Sequence, residues 1–198
     1  MSSTTRRFMA GMLAIAASIF MAGESHAQVS RMFWITGSGS GPYGLPLPGQ
    51  EPRFHNVFGD SNIVGPHYGE GTVRTISADP AAVPGKIVGE FGSGSPFRFT
   101  NSAGETLACD YGQQPDGKGF GEFELTILGF TEEGGLLVQA LWLADFVVLP
   151  NKCTGQFRGT TGKWRMTAIS EPFVLGSNDP VGYSWEGSGI LKLPVRRR

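Results

Sequence analysis

The sequence lacks most of the patterns that announce a chemistry. No segment carries an apolar stripe of 3.6-residue period over three turns, so helix is confined to short pieces at most. No strand–turn–helix nucleophile elbow is present, which leaves a hydrolase triad without an anchor. The Gly-Ser repeat over 37–41 has neither the lysine nor the following helix of a phosphate loop. The 16 basic and 17 acidic residues nearly cancel, and a nucleic-acid surface should be visibly basic. The Arg196-Arg197-Arg198 tail is a local exception that reads as a solvated terminus. No internal repeat is long enough for a solenoid or propeller.

Histidine is scarce too, and of the three only His55 and His67 lie beyond the first 27 residues. Asp60 falls between them and Glu70 follows. These spacings match no metal signature, so both histidines read as loop-surface residues, and neither a metal nor a nucleotide or redox cofactor is expected. Cysteine is limited to Cys109 and Cys153. Neither has a histidine near it in sequence to activate a thiolate. In an exported chain the two are expected to form a disulfide.

Export is the reading of the first 27 residues. Arg6 and Arg7 precede an apolar stretch from Phe8 to Met21, and Ser25-His26-Ala27 offers small residues at the positions before a cleavage point, the layout of a secretory signal peptide. The arginine pair leaves a twin-arginine route open, and a retained N-terminal anchor is the other alternative. The apolar stretch is shorter than the roughly 18 residues a spanning helix needs, and no later stretch qualifies, so an integral membrane protein is not expected. Cleavage after Ala27 would leave 171 residues with 14 basic and 16 acidic side chains, destined for the periplasm or the exterior.

Glycine, proline and small polar residues dominate the next part, and 28–71 reads as an irregular arm with at most a short strand near Met32–Ile35. The domain proper is expected over 72–198. Candidate strands follow one another there: Val73–Ser77, Lys86–Phe91, Pro96–Thr100, Leu107–Tyr111, Phe120–Phe130, Leu136–Leu149, Gln156–Arg158, Lys163–Ser170, Phe173–Leu175 and Tyr183–Leu193. Turn residues such as Gly92-Ser93-Gly94 and Gly134-Gly135 separate them. Closely spaced strands of this kind make an antiparallel barrel or a β-sandwich. In Gly121–Gly129, Phe123, Leu125 and Ile127 alternate with Glu122, Glu124 and Thr126, giving one dry face and one wet face. Leu136–Leu149 is apolar on both faces, as in a central strand or one packed against another subunit.

The run Gly155-x-Phe157-x-Gly159-x-x-Gly162, followed by alternating Lys163–Ile169, resembles the glycine-paced hairpin of the allene oxide cyclase and dirigent superfamily. The closing Tyr183-Ser184-Trp185-Glu186-Gly187 resembles a late strand of the same proteins. The resemblance implies an eight-stranded, lipocalin-like antiparallel barrel with an apolar cavity, assembled as a homodimer or homotrimer. It also implies cyclisation or coupling of a lipid or phenolic substrate.

Within this frame three carboxylates are candidate catalytic residues. Asp145 stands among Leu141, Leu143, Phe146 and Val147, where desolvation would raise its pKa and fit it for acid or base work. A salt bridge to Arg158 or Arg165, or a turn at Asp145, is the structural alternative. Glu90 and Asp110 are weaker cases. Trp142, Trp164, Tyr183 and Trp185 are candidates to line a ligand cavity, or else to fill a solid core. Two functions remain in view. One is an exported cyclase, isomerase or lyase acting on an apolar or aromatic small molecule through a wall carboxylate. The other is a non-catalytic ligand-binding or assembly module of the envelope or secretome.

Overall fold

The computed structural model describes residues 27–41, 48–112, 121–177 and 179–195. The expected signal peptide over 1–27 lies, but for Ala27, outside the described residues. Among the described residues ten antiparallel strands form one sheet: β1 (Gln28–Gly41), β2 (Arg53–Ser61), β3 (His67–Asp79), β4 (Lys86–Asn101), β5 (Thr106–Tyr111), β6 (Gly121–Phe130), β7 (Leu136–Val148), β8 (Thr161–Ser170), β9 (Phe173–Val174) and β10 (Val181–Pro194). Its path runs β3-β2-β1-β10-β8-β7-β5-β4-β6, and the further pairings β3–β4 and β7–β6 close it into a ring. β5 and β6 lie end to end between β4 and β7. Phe97–Thr100 of β4 pairs β5, whereas Lys86–Phe91 pairs β6.

This architecture corrects the expected eight-stranded lipocalin-like barrel. Ten strands take part, β4 and β7 change partners along their length, and the β3–β4 register shifts near Thr72 and again before Ser77. Such bulges bend the strands sharply. The inner faces press together around interlocked rings, as in the filled core of a sandwich. Phe146 stacks on Trp164 at 4.1 Å and on Tyr111 at 4.9 Å between ring centroids.

The irregular arm is corrected as well. Residues 28–71 supply β1, β2 and the start of β3, and β1 pairs β10 from Gln28 to Gly41. The inward positions of β1 read Phe33, Ile35, Gly37, Gly39, Gly41. Glycine leaves space there that large neighbours fill. A methyl group on Gly41 would stand 2.4 Å from the His55 ring, and one on Gly187 of β10 would stand 2.5 Å from Trp164. Gly92-Ser93-Gly94, expected as a turn, instead runs through β4, where the bulges absorb it.

The hairpin that carried the family resemblance is absent. Gly155–Phe157 is a single 3-10 turn, entered through Gly155 at φ +52°, and only from Thr161 does β8 begin. The expected disulfide is also absent, since both cysteines are free and buried. Strand parity supplies the reason. Cys109 shares the inward face of β5 with Leu107 and Tyr111, whereas the Cys153 thiol sits against the backbone of Ala108 and Leu149. Cys153 thus meets the β5 main chain at Ala108 and not the Cys109 side chain. Burial raises both thiol pKa values, so the thiols stay protonated and unreactive.

Candidate functional site

An interior cavity of about 60 Å³ lies where β2, β3, β4, β5, β7, β8 and β10 converge. Its aromatic wall includes Phe91, Phe97, Phe99, Tyr111, Phe146 and Trp185. These residues are gathered by inward parity on four strands, β4, β5, β7 and β10, and Phe99 at their centre is fully buried. Trp142 and Tyr183 complete the aromatic wall, while Val57, Val73, Met166 and Ala168 supply aliphatic surface. Trp164 is buried nearby, stacked on Phe146.

Besides its indole N–H groups, of which that of Trp185 is also buried without a partner, three polar side chains reach this wall, and two of them are already satisfied. The Tyr111 hydroxyl donates to the Thr72 carbonyl at 2.6 Å, and the Tyr183 hydroxyl donates to the Asn56 carbonyl at 2.9 Å. Burial is the main cause that raises both phenol pKa values. The third is His55, whose Nε2 is buried without a hydrogen-bond partner. Its ring centroid lies 5.8 Å from that of Tyr183. Loss of hydration, reinforced by the nearby Arg53 charge, lowers its pKa to about 4, so at neutral pH the imidazole is uncharged. A neutral imidazole offers one donor and one acceptor nitrogen. Buried polar atoms are nearly always paired, so one left open inside an apolar wall calls for an explanation.

His67 faces inward from β3 close by. Its Nδ1 donates to the Gly65 carbonyl at 2.8 Å, which leaves Nε2 as the unpartnered nitrogen. Burial lowers its pKa too, partly offset by that carbonyl and by Asp60. The ring stands edge-on to Phe99 at 5.5 Å. Both histidines are thus interior, against the loop-surface positions expected from sequence. Their strands were hidden because His55-x-Val57-x-Gly59-x-Ser61 and His67-x-Gly69-x-Gly71-x-Val73 alternate with glycine instead of large apolar residues. Counting glycine as an inward residue would have exposed both. Among the described residues no three His, Cys, Asp or Glu side chains gather into a metal-holding cluster.

The three candidate carboxylates lie on the outer side of the sheet. Asp145 is exposed and directly opposite Arg165 across β7 and β8. Glu90 is exposed beside Glu122, at a surface groove that also holds Leu141 and Leu143. Asp110 is half-buried and accepts a hydrogen bond from the Ser93 hydroxyl. The cavity wall carries no carboxylate among the described residues. Its volume is also well below the several hundred cubic ångströms usual for a pocket that encloses a whole ligand. Those two observations overturn the reading of a cyclase, isomerase or lyase working through a wall carboxylate. No described helix is long and apolar enough to cross a membrane. Comparison with protein-family models, curated proteins and solved structures finds no match for this chain, so the resemblance to the allene oxide cyclase and dirigent proteins is not upheld.

Proposed function

We propose that this chain is a non-catalytic binding module that receives a small apolar or aromatic molecule, hydroxyl end first, against His55. The observation that carries this reading is the unpartnered His55 Nε2, the one open hydrogen-bond acceptor among the polar groups described at the wall of a largely apolar aromatic cavity. An apolar pocket with one or two oriented polar groups is the usual design of a small-molecule site. A hydroxyl suits the imidazole because it both donates and accepts, whichever nitrogen carries the proton.

Size limits what enters. An engineered cavity of roughly 150 Å³ holds benzene, so about 60 Å³ admits the narrow end of a ligand. A full aromatic ring would need side chains of the wall to give way. With the 1–27 leader removed, the module would work in the periplasm or outside the cell. There the buried thiols would be shielded from oxidants by the same packing that keeps them protonated.

Calorimetric titration with phenol and with hexan-1-ol tests the reading. One saturable site per chain is expected for at least one of them, weakened at least tenfold in His55→Phe. No binding by either, or binding unchanged in the variant, would overturn it.

A further inference from the structure

On the outer face of β1 and β10, Met32 and Ile190 are direct cross-strand partners and Trp34 is the next outward residue along β1. They are 69%, 53% and 47% exposed, so the sheet presents three large apolar side chains side by side to solvent. Isolated exposed apolar residues are ordinary, whereas a contiguous group marks an interaction surface.

The charges beside this group are of one sign on its β8 side. Lys163 lies directly opposite Ile190, Arg165 directly opposite Ser188, and Lys192 is the next outward residue after Ile190. All three are exposed. Among the described residues none of them joins an ion pair or donates a hydrogen bond. The acidic residues nearest in register are Asp145, directly opposite Arg165 on β7, and Glu186 and Asp60, which flank Thr36 one outward position beyond Trp34. The chain as a whole is close to neutral, so this concentration of unpaired cations is local.

We propose that this face docks on an anionic lipid surface. Met32, Ile190 and Trp34 would enter the headgroup region while Lys163, Arg165 and Lys192 meet lipid phosphates. Three features favour a bilayer over a protein partner. The apolar side chains project from an open sheet face instead of lining a pocket. Lysine and arginine can lay their stems along apolar surface and keep the charge at the headgroups. Indole rings settle at membrane–water interfaces. Each basic residue near an anionic surface contributes about 1 kcal/mol, so three should strengthen binding roughly a hundredfold over a neutral surface.

The test uses a chain beginning at Ala27. Every strand of the ring lies between Gln28 and Pro194, and the apolar Phe8–Met21 stretch would itself partition into lipid. Trp142, Trp164 and Trp185 are buried at 7%, 2% and 6% exposure, so a blue shift of tryptophan emission on vesicle addition reports Trp34. The expected result is co-sedimentation with phosphatidylcholine vesicles containing one quarter phosphatidylglycerol, at least tenfold stronger than with pure phosphatidylcholine. It should come with a blue shift, and be lost in Met32→Ser/Ile190→Ser and in Lys163→Glu/Arg165→Glu/Lys192→Glu. Both variants change exposed side chains and should keep the wild-type urea midpoint. Absence of binding to the anionic vesicles, or binding that survives both variants, overturns the proposal. So does a dimer without lipid that dissociates in Met32→Ser/Ile190→Ser, which would assign the face to a second copy.

Discussion

Acidification should destabilise this protein through His55 in a calculable way. The folded-state pKa is near 4, set mainly by burial, and the unfolded value is near 6.5. Between these values the unfolded chain binds the extra proton and the folded chain does not. Stability is therefore fully present above about pH 6.5 and falls as pH drops through the window to about 4. A shift of this size corresponds to about 3 kcal/mol when complete, and to about 2 kcal/mol already at pH 5. With a urea m-value of about 2 kcal/mol/M for a domain of this size, the midpoint at pH 5 should lie roughly 1 M below that at pH 7. His55→Phe keeps a ring at the position and removes the titration, so its midpoint should fall much less over the same interval. His67 is lowered in the same direction, so some slope should persist in the variant. An identical loss of stability in wild type and His55→Phe would refute the reasoning, because carboxylate protonation is common to both.

Two further predictions concern the core and the thiols. Phe99→Ala removes a fully buried ring from the centre of the aromatic cluster and should cost roughly 3–5 kcal/mol, read as a lower urea midpoint. Neither cysteine is in a disulfide, so reductant should leave the melting temperature unchanged. A thiol-specific chromophore should label two groups per chain only after unfolding, and rapid labelling of the native protein would contradict the burial described.

Strand content was legible wherever large side chains alternate. Gly121–Phe130 and Thr161–Ser170 form strands that cover most of the expected runs, because Phe123, Leu125, Trp164 and Met166 make the period visible. β1, β2 and the start of β3 were not legible. Their inward positions include Gly37, Gly39, Gly59, Gly69 and Gly71, residues that carry no hydropathy signal and usually mark loops, yet here make room for Trp185, Val57 and Phe97. Missing those strands concealed His55 and His67, and with them the polar side of the cavity. Asp145 misled for a related reason. Both faces of β7 are apolar in sequence, but Leu141, Leu143 and Val147 lie half-buried on the outer side, so the carboxylate among them has access to solvent. The cysteine pairing failed because spacing along the chain does not reveal that the Cys153 thiol meets the Ala108 main chain instead of Cys109.

The central claim, that a small molecule seats on the His55 imidazole inside the aromatic cavity, is tested most directly by the ring nitrogen resonances of the two interior histidines. These would be followed by long-range proton–nitrogen NMR as phenol or hexan-1-ol is added. The account predicts a saturable change in a His55 ring nitrogen, with His67, which is outside the cavity wall, largely unmoved. A His55 ring that stays unchanged at high concentrations of both probes would contradict it.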